Sequence, residues 1–163
     1  MFDALKPFIK KGDTFLDVDC GHSPLAKHIL RGGHSITGFD IAFNIIQHLQ
    51  DIYPKGNWIT LDDADAEFQG YSVLLLLGVT TPLYKVYSET YYETTKRLLG
   101  LNYARVVFVE SADGADQTLY KQVCEMLEKV GHYVKKCEKK YDAEMKRASR
   151  RHYSIWIKRE VIK

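Results

Sequence analysis

The chain has 163 residues and a formal net charge of +2, with 45% hydrophobic and 27% charged residues. This length and composition predict one domain, residues 1–163, with one packed core. The longest apolar run, from Val73 to Leu77, is too short to cross a bilayer, which argues against a membrane protein. The amino terminus lacks the pattern of a signal peptide. The three cysteines are widely spaced without a CxxC pair, so we expect a soluble cytoplasmic protein without structural zinc or a disulfide framework.

The charge is distributed unevenly along the chain. Residues 131–163 carry eleven Lys and Arg against four acids, a net charge of +7, whereas the first 130 residues carry −5. A basic region of this kind, over residues 135–159, predicts a partner that carries phosphates, such as a nucleic acid. The other interpretation is a solvated, lysine-rich hairpin, and the composition does not decide between the two.

Helix and strand patterns alternate through the first half of the chain. An amphipathic helix over 3–11, ending at Gly12, comes before a strand over 14–18. Ser23 is a good N-cap and Pro24 suits the first helical position, which predicts a helix over 23–33. The elements that follow are a strand over 35–39, a helix over 43–52, a strand over 58–61 and the apolar strand "YSVLLLL" over 71–77, typical of a buried parallel strand.

The second half continues this alternation and then changes character. A helix over 82–99, ended by Gly100, is followed by a buried strand over 104–110 and a helix over 115–130, ended by Gly131. Two strand patterns, "HYVKKCEKKYD" and "RRHYSIWIKRE", then follow each other without a helix between them. This order predicts an α/β sandwich whose mostly parallel sheet ends in an antiparallel hairpin.

The segment "FLDVDCGHSPL", residues 15–25, joins the first strand to the next helix. In an open parallel sheet, ligands bind beyond the carboxyl ends of the strands, and Gly21 allows a close approach to the backbone. A pyrophosphate-binding loop has more glycines and no negative charge beside the phosphates. Here Asp17 and Asp19 bracket the turn, and two carboxylates repel a pyrophosphate but attract a cation. The loop therefore indicates a positively charged ligand.

These residues resemble the first motif of the class I S-adenosylmethionine-dependent methyltransferases, roughly D-x-G-x-G-x-G. The match lies at Asp17 and Gly21, and the sequence departs from the motif at Asp19 and Ser23. The resemblance implies S-adenosylmethionine as the cofactor, which carries a sulfonium and an ammonium group. Asp17 alone has another interpretation, as a loop acid that caps backbone donors. The cofactor-binding candidates in this loop are Asp17, Asp19, Cys20, Gly21 and His22, with Cys20 as a small packing residue.

Two further matches follow in the order that the family has. Asp40, in "GFDIA", ends the second strand, where the family has an acid that accepts hydrogen bonds from both ribose hydroxyls. Ile41 would then pack on the adenine. Asp63 and Ala64, in "LDDADAEF", resemble the element in which a carboxylate meets the adenine amine, although Asp62 stays open as the carboxylate. Each acid alone can be a solvated loop acid, but acids at the ends of three successive strands favour a site.

The loop after the fourth strand, "GVTTPLYKVY", supplies acceptor-binding groups in this family. Its first residue, Gly78, is a further cofactor-binding candidate. "TPLY" partly resembles the N/D/S-P-P-Y/F motif of methyltransferases that act on amino groups of bases or glutamine, and it makes Thr81 and Tyr84 the catalytic candidates. The other interpretation is that Pro82 only starts a helix whose tyrosines form a packed face. None of the six histidines has metal-ligand spacing, so we expect no metal site.

The resemblance covers essentially the whole chain and implies a three-layer sandwich with a mostly parallel seven-stranded sheet. The leading function is an S-adenosylmethionine-dependent methyltransferase, with nucleic acid somewhat favoured over a small molecule or protein as acceptor. A non-catalytic relative, acting as a binding or scaffold subunit, is the alternative. A nicotinamide-dependent oxidoreductase is disfavoured by the missing phosphate-binding glycines. Since 163 residues leave no room for a recognition domain, we expect the protein to act on an accessible target or to depend on a second copy or a partner subunit.

Overall fold

A computed structural model of the chain describes residues 1–60, 70–78, 88–101, 103–112, 118–142 and 150–159. Its helices are α1 (Phe2–Leu5), α2 (Ala26–Arg31), α3 (Phe43–Ile52), α4 (Ser88–Leu101) and α5 (Thr118–Val130). Its strands are β1 (Thr14–Val18), β2 (Ser35–Asp40), β3 (Asn57–Thr60), β4 (Val73–Leu76), β5 (Val106–Ala112), β6 (Tyr133–Asp142) and β7 (Arg150–Lys158). Within the described ranges, no helix is long and apolar enough to span a membrane.

The seven strands form one mixed sheet in the order β3-β2-β1-β4-β5-β7-β6. β1, β2 and β3 pair in parallel, whereas β7 runs antiparallel to both β5 and β6. The expected α/β fold, with a mostly parallel sheet that ends in an antiparallel hairpin, is confirmed. The strand order reverses where β1 and β4 are neighbours, and ligands of such sheets bind beyond the carboxyl ends of the strands at this point.

The chain comprises two compact units, Met1–Leu75 and Leu76–Lys163. In the first unit, β1 and β2 bury their apolar side chains, and α3 contributes Ile46 and Leu49 to the same core. Ser72 connects the segment before β4 to β1. Its backbone N–H donates a hydrogen bond to the Thr14 carbonyl over 2.9 Å. These contacts hold β1 and β2 firmly, so that the loops at their carboxyl ends start from fixed points.

The second unit is built on β5, β6, β7 and the two helices α4 and α5. Ser154 of β7 lies opposite Val109 of β5 and is fully buried. Its hydroxyl oxygen accepts hydrogen bonds from Tyr120 Oη of α5 at 3.0 Å and from Trp156 Nε1 at 2.9 Å. A buried hydroxyl with such partners is stabilising, because the cost of removing it from water is met by hydrogen bonds.

Three helix boundaries differ from the sequence predictions. The helix expected over 3–11 is instead α1 followed by a 3-10 turn over Lys6–Phe8, because Pro7 has no N–H to continue the helix. α4 continues through Gly100 to Leu101, so the prediction that Gly100 ends the helix is wrong. Its neighbours Leu98 and Leu99 are buried, and this packing outweighs the low helix propensity of glycine. The third difference, at the start of α2, belongs to the candidate site.

Candidate cofactor site

The loop after β1 has a left-handed backbone at three alternate positions. The φ angle is 54° at Asp19, 48° at Gly21 and 42° at Ser23. In this region the Cβ of an L-residue crowds the following carbonyl oxygen, at a cost of about 1–2 kcal/mol, so glycine is favoured. The three positions are those at which the D-x-G-x-G-x-G motif has glycine. The loop therefore keeps the backbone shape that explains the motif, although only one of its three glycines is present.

Ser23 is held in this conformation by a buried hydrogen bond. Its Oγ–H donates to Oδ2 of Asp17 over 2.6 Å, and the two residues are 1% and 0% exposed. The prediction that Ser23 caps α2 is wrong, because the N-cap is Leu25, which makes no side-chain capping bond. The Ser23 hydroxyl turns back towards β1 instead, and the helix therefore begins only at Ala26.

The carboxyl group of Asp17 lies in an unusual electrostatic environment. Its pKa is raised from 3.8 to about 7, chiefly by burial; the hydrogen bond from Ser23 lowers it, and the carboxylates of Asp19 and Asp40 raise it. Its other oxygen, Oδ1, is buried and accepts no hydrogen bond from the described residues. Asp17, Asp19 and Asp40, which lie at the carboxyl ends of β1 and β2, are thus close enough to interact. A positive charge or an N–H donor beside Oδ1 would stabilise the charged form of Asp17.

Asp40 ends β2 and connects the loops that follow β1 and β2. Its Oδ2 accepts the backbone N–H of Gly21 over 2.9 Å, and its Oδ1 accepts that of Ala42 over 2.8 Å. The residue is 5% exposed. Each carboxylate oxygen has two lone pairs, so both oxygens keep acceptor capacity for a ligand hydroxyl. Binding of the ribose hydroxyls by Asp40 stays a prediction. Its observed hydrogen bonds show that it also stabilises the loops after β1 and β2.

Cys20 is a packing residue of this loop. Its side chain is buried, and burial together with three neighbouring carboxylates raises the pKa of its thiol far above the ordinary value. A thiol that does not ionise is a poor nucleophile. Gly38 of β2 provides the space, because a Cβ there would lie 2.5 Å from the Trp58 ring and 3.1 Å from the Cys20 Cβ.

Aromatic and apolar groups lie on the loops after β1 and β2 and at the start of α3. The His22 ring lies edge-on to His48 of α3, with the ring centroids 6.2 Å apart. Ile41, the predicted adenine contact, is 41% exposed, and Phe43 at the start of α3 is 61% exposed. Phe43 was missed by the sequence analysis, because the helix pattern does not distinguish an exposed phenyl ring from a core one. Exposed apolar surface next to Asp40 suits a flat aromatic ligand.

Gly78 follows β4 in a left-handed conformation, with a φ angle of 70°. Its backbone N–H donates to Oε2 of Glu110 over 2.9 Å, so this N–H is engaged by the protein itself. Glu110 lies in β5 and is 1% exposed. The sequence analysis did not single out this pairing, because it joins residues that are 32 positions apart in the chain.

Four predicted site residues lie outside the described residues, and their roles stay predictions. They are Asp63, Ala64, Thr81 and Tyr84. In the part of the chain that the structure describes, no three His, Cys, Asp or Glu side chains are grouped in a way that could hold a metal ion.

Solved structures of similar fold decide what the architecture is. An S-adenosylmethionine-dependent methyltransferase from Methanosarcina mazei has a TM-score of 0.73 and 11% identity, over 97% of this chain and 98% of that one. A TehB-like S-adenosylmethionine-dependent methyltransferase from Corynebacterium glutamicum has a TM-score of 0.68 and 13% identity, over 96% and 86%. The chain has the fold of the S-adenosylmethionine-dependent methyltransferases. A methyltransferase from Pyrococcus furiosus has a TM-score of 0.64 and 15% identity, over 96% of this chain and 80% of that one.

No protein-family model and no curated protein matches the sequence. At identities this low, the likeness to solved methyltransferases establishes the fold alone. The function therefore has to be argued from the residues of the site. The methyltransferase fold makes the departures at Asp19 and Ser23 informative, because the loop backbone is kept at both positions while the side chains are not.

Proposed function

We propose that the chain is an S-adenosylmethionine-dependent methyltransferase. The observation that carries this proposal is the loop after β1, which is left-handed at all three glycine positions of the motif. Asp17, Asp19 and Asp40 interact around this loop, and such a group of carboxylates repels a pyrophosphate but attracts a sulfonium or an ammonium. The buried Oδ1 of Asp17, which has no partner among the described residues, fits a ligand that brings a positive charge or an N–H group.

The residues of the chain have distinct proposed roles towards this cofactor. Asp40 accepts the ribose hydroxyls, and Ile41 packs on the adenine beside the exposed ring of Phe43. Asp63 and Ala64 meet the adenine amine. When bound, the cofactor supplies a methyl group on an electrophilic sulfur. The other cofactor contacts are proposed for Asp17, Asp19, Cys20, Gly21, His22 and Gly78.

The acceptor has to be held in line with the methyl group, and this positioning is the main catalytic task of the protein. The leaving sulfide needs no proton, and a neutral amine acceptor needs no strong general base. Thr81 is the proposed hydrogen-bond acceptor for such an amine, and Tyr84 is proposed to stack on the acceptor ring.

Nucleic acid is the proposed acceptor, bound through the basic region 135–159. β6 is the edge strand of the sheet, and Asp142 lies opposite Arg150 in the β6–β7 register. Lys135 Nζ lies 5.1 Å from the centroid of the Trp156 ring. Lysines on an edge strand have a second role, because they prevent pairing with other sheets. Nucleic-acid binding is therefore tested by direct measurement. The basic residues of the two strands are Lys135, Lys136, Lys139, Lys140, Arg150, Arg151 and Lys158.

Calorimetric titration tests the cofactor first. The proposal predicts that S-adenosylmethionine and S-adenosylhomocysteine bind the purified chain and that NADH does not. Binding of NADH alone would overturn it and favour an oxidoreductase. Incubation with methyl-labelled cofactor and separate RNA, DNA and protein extracts then tests the acceptor. Label in the protein extract alone would replace nucleic acid as the acceptor.

A second candidate function is a non-catalytic relative that serves as a binding or scaffold subunit. Asp19 and Ser23 favour it, because they add side chains at two positions where the motif has none. This candidate predicts that methyl transfer stays at background with every extract, whether or not the cofactor binds.

The setting of the protein is also a proposal. A second copy or a partner subunit is proposed to assist acceptor recognition. Light scattering of the purified chain measures its oligomeric state and tests the first of these. A cytoplasmic location is proposed because Cys20, Cys124 and Cys137 are free thiols, as is usual in a reducing compartment.

A further inference from the structure

The two oxygens of the Asp17 carboxyl group have different surroundings at the carboxyl end of β1, in the first compact unit. Asp17 is 0% exposed, and its Oδ2 accepts the Ser23 hydroxyl over 2.6 Å. Its Oδ1 is also buried but accepts no hydrogen bond from the described residues. Oδ1 is therefore the oxygen at which a proton or a ligand donor can be added.

The charged groups that act on this carboxyl group are all acidic among the described residues. Asp19 of the same loop and Asp40 of β2 both raise the pKa of Asp17, and no basic side chain of the described residues lowers it. The thiol of Cys20 stays neutral, because burial and the same carboxylates raise its pKa far above the ordinary value. A buried carboxylate without a positive partner is unfavourable, so it takes up a proton unless a cation reaches it.

A proton and a cationic ligand compete for the same oxygen atom. Because Oδ2 accepts the Ser23 hydroxyl, Oδ1 is the oxygen that carries the proton when the Asp17 carboxyl is neutral. A positively charged ligand group beside Oδ1 stabilises the carboxylate, and the proton then passes to the solvent. The protonated carboxyl and the carboxylate paired with a monovalent cation have the same net charge, so one neutral state replaces the other.

We propose that binding of the cofactor's positive charge in this loop is coupled to release of the Asp17 proton, and that Ser23 sets the pH at which this exchange takes place. The inference rests on the proposed function. It gives a role to the side chain at the third glycine position of the motif, because glycine there would leave Oδ2 without this donor. Ser23 acts through Asp17 and is a positioning residue.

Calorimetry of S-adenosylmethionine binding in buffers of different ionisation enthalpy counts the protons released. The Asp17 pKa of about 7 leaves the site about half protonated at that pH, so binding there should release about half a proton. Between about pH 6 and pH 8 the affinity should rise about tenfold, as the ionised fraction of Asp17 rises from about one tenth to about nine tenths. The neutral ligand 5′-methylthioadenosine, which has the adenosine and a thioether but no amino-acid part, should show neither effect.

Asp17→Asn is the matched control for the other titratable groups. Asparagine keeps the shape of the side chain and an oxygen for the Ser23 hydroxyl, but it has no proton to release in this range. The amine of the ligand and the histidines near the loop, His22 and His48, are the same in both proteins. The difference between the two pH profiles therefore isolates Asp17, and the variant should lack the tenfold rise.

Ser23→Ala and Ser23→Gly test the role of the hydroxyl. Both remove the hydrogen bond that lowers the pKa of Asp17, so the affinity should rise at a higher pH and then reach a similar plateau. Glycine also relieves the left-handed backbone at this position, where φ is 42°, whereas alanine does not. A shift shared by both variants therefore reports the hydroxyl. A uniform loss of affinity at every pH would instead make Ser23 a purely structural residue and overturn its role in the exchange.

The pH profiles also separate this inference from the proposed function. Parallel profiles for the wild type and Asp17→Asn, or no proton release by the wild type, would overturn the coupling while the cofactor still binds. If Asp17→Asn does not fold, the comparison of the two ligands on the wild type decides in its place. A wild-type chain that binds S-adenosylmethionine at no pH in this range would overturn the proposed function, and the inference with it.

Discussion

Replacing Asp17 by asparagine should remove a large part of the pH dependence of stability near neutral pH. The Asp17 carboxyl is fully buried, and its pKa is raised from 3.8 to about 7, mainly by burial. Asparagine has nearly the same shape, carries no proton that titrates in this range, and keeps an oxygen that accepts the Ser23 hydroxyl. The substitution therefore isolates the charge of one buried group.

The sign and the size follow from the two pKa values. Well below pH 3.8 the carboxyl is protonated in both the folded and the unfolded chain, so no stability is lost. As the pH rises towards 7, the unfolded chain loses this proton first, and the folded state is progressively disfavoured. The total loss is about 4 kcal/mol, since one pKa unit corresponds to about 1.4 kcal/mol. About 3 kcal/mol of it should fall between about pH 5 and pH 8.

Urea denaturation of the wild type and of Asp17→Asn across this pH range measures the effect. Tryptophan fluorescence reports the unfolding, because Trp58 of the first compact unit, in which Asp17 lies, and Trp156 of the second are both buried. The free energy of unfolding of the variant, relative to the wild type, should rise with pH. Asp3→Asn is the control, because Asp3 is exposed and its lowered pKa places its titration below this range. Parallel pH profiles for the wild type and Asp17→Asn would refute the reasoning.

Asp40→Ala should weaken S-adenosylmethionine binding by about 1–3 kcal/mol, because ligand hydroxyls and two loop N–H groups lose their acceptor. Calorimetry measures this, and an unchanged affinity would remove the main support for the cofactor geometry. Asp19→Gly should keep cofactor binding, since glycine suits the left-handed backbone, and S-adenosylhomocysteine should gain relative to the cationic cofactor. A ratio that does not move would mean that Asp19 does not sense the sulfonium. If the basic region makes four phosphate contacts, log K for labelled oligonucleotides should fall against log salt with a slope of about −3 to −4. Charge reversal at Arg150 and Arg151 should flatten this slope by roughly 1–2 units without changing cofactor affinity.

Fluorescence anisotropy across a salt series measures the last effect. An absence of binding even at low salt would leave the charge of the basic region as solvation. A small molecule or a protein would then become the leading acceptor.

Local patterns in the sequence predicted most of the fold. The apolar runs of β1, β2 and β4 and the helix pattern of α3 appear in the structure at or near their predicted limits. The antiparallel hairpin was predictable because no helix separates β6 from β7. Strand and helix periodicity is a property of adjacent residues, so it can be read without knowing what packs against what.

Helix limits were less predictable where a tertiary contact competes with the local preference of a residue. Ser23 has the chemistry of an N-cap, but its hydroxyl bonds Asp17 instead. Gly100 has the chemistry of a helix end, but α4 passes through it with Leu98 and Leu99 buried. In both cases tertiary contacts outweigh a local preference of about 1 kcal/mol.

The sequence by itself determined where acids follow the strands, and it predicted that the first loop suits a cation rather than a pyrophosphate. Only the tertiary structure decided which backbone N–H groups these buried acids accept. Asp40 meets the N–H of Gly21 across 19 residues, and Glu110 meets the N–H of Gly78 across 32. Such bonds depend on strand order and on the direction in which each side chain leaves its strand. Neither is encoded in a pattern of neighbouring residues, because strand order is set by the packing of the whole chain.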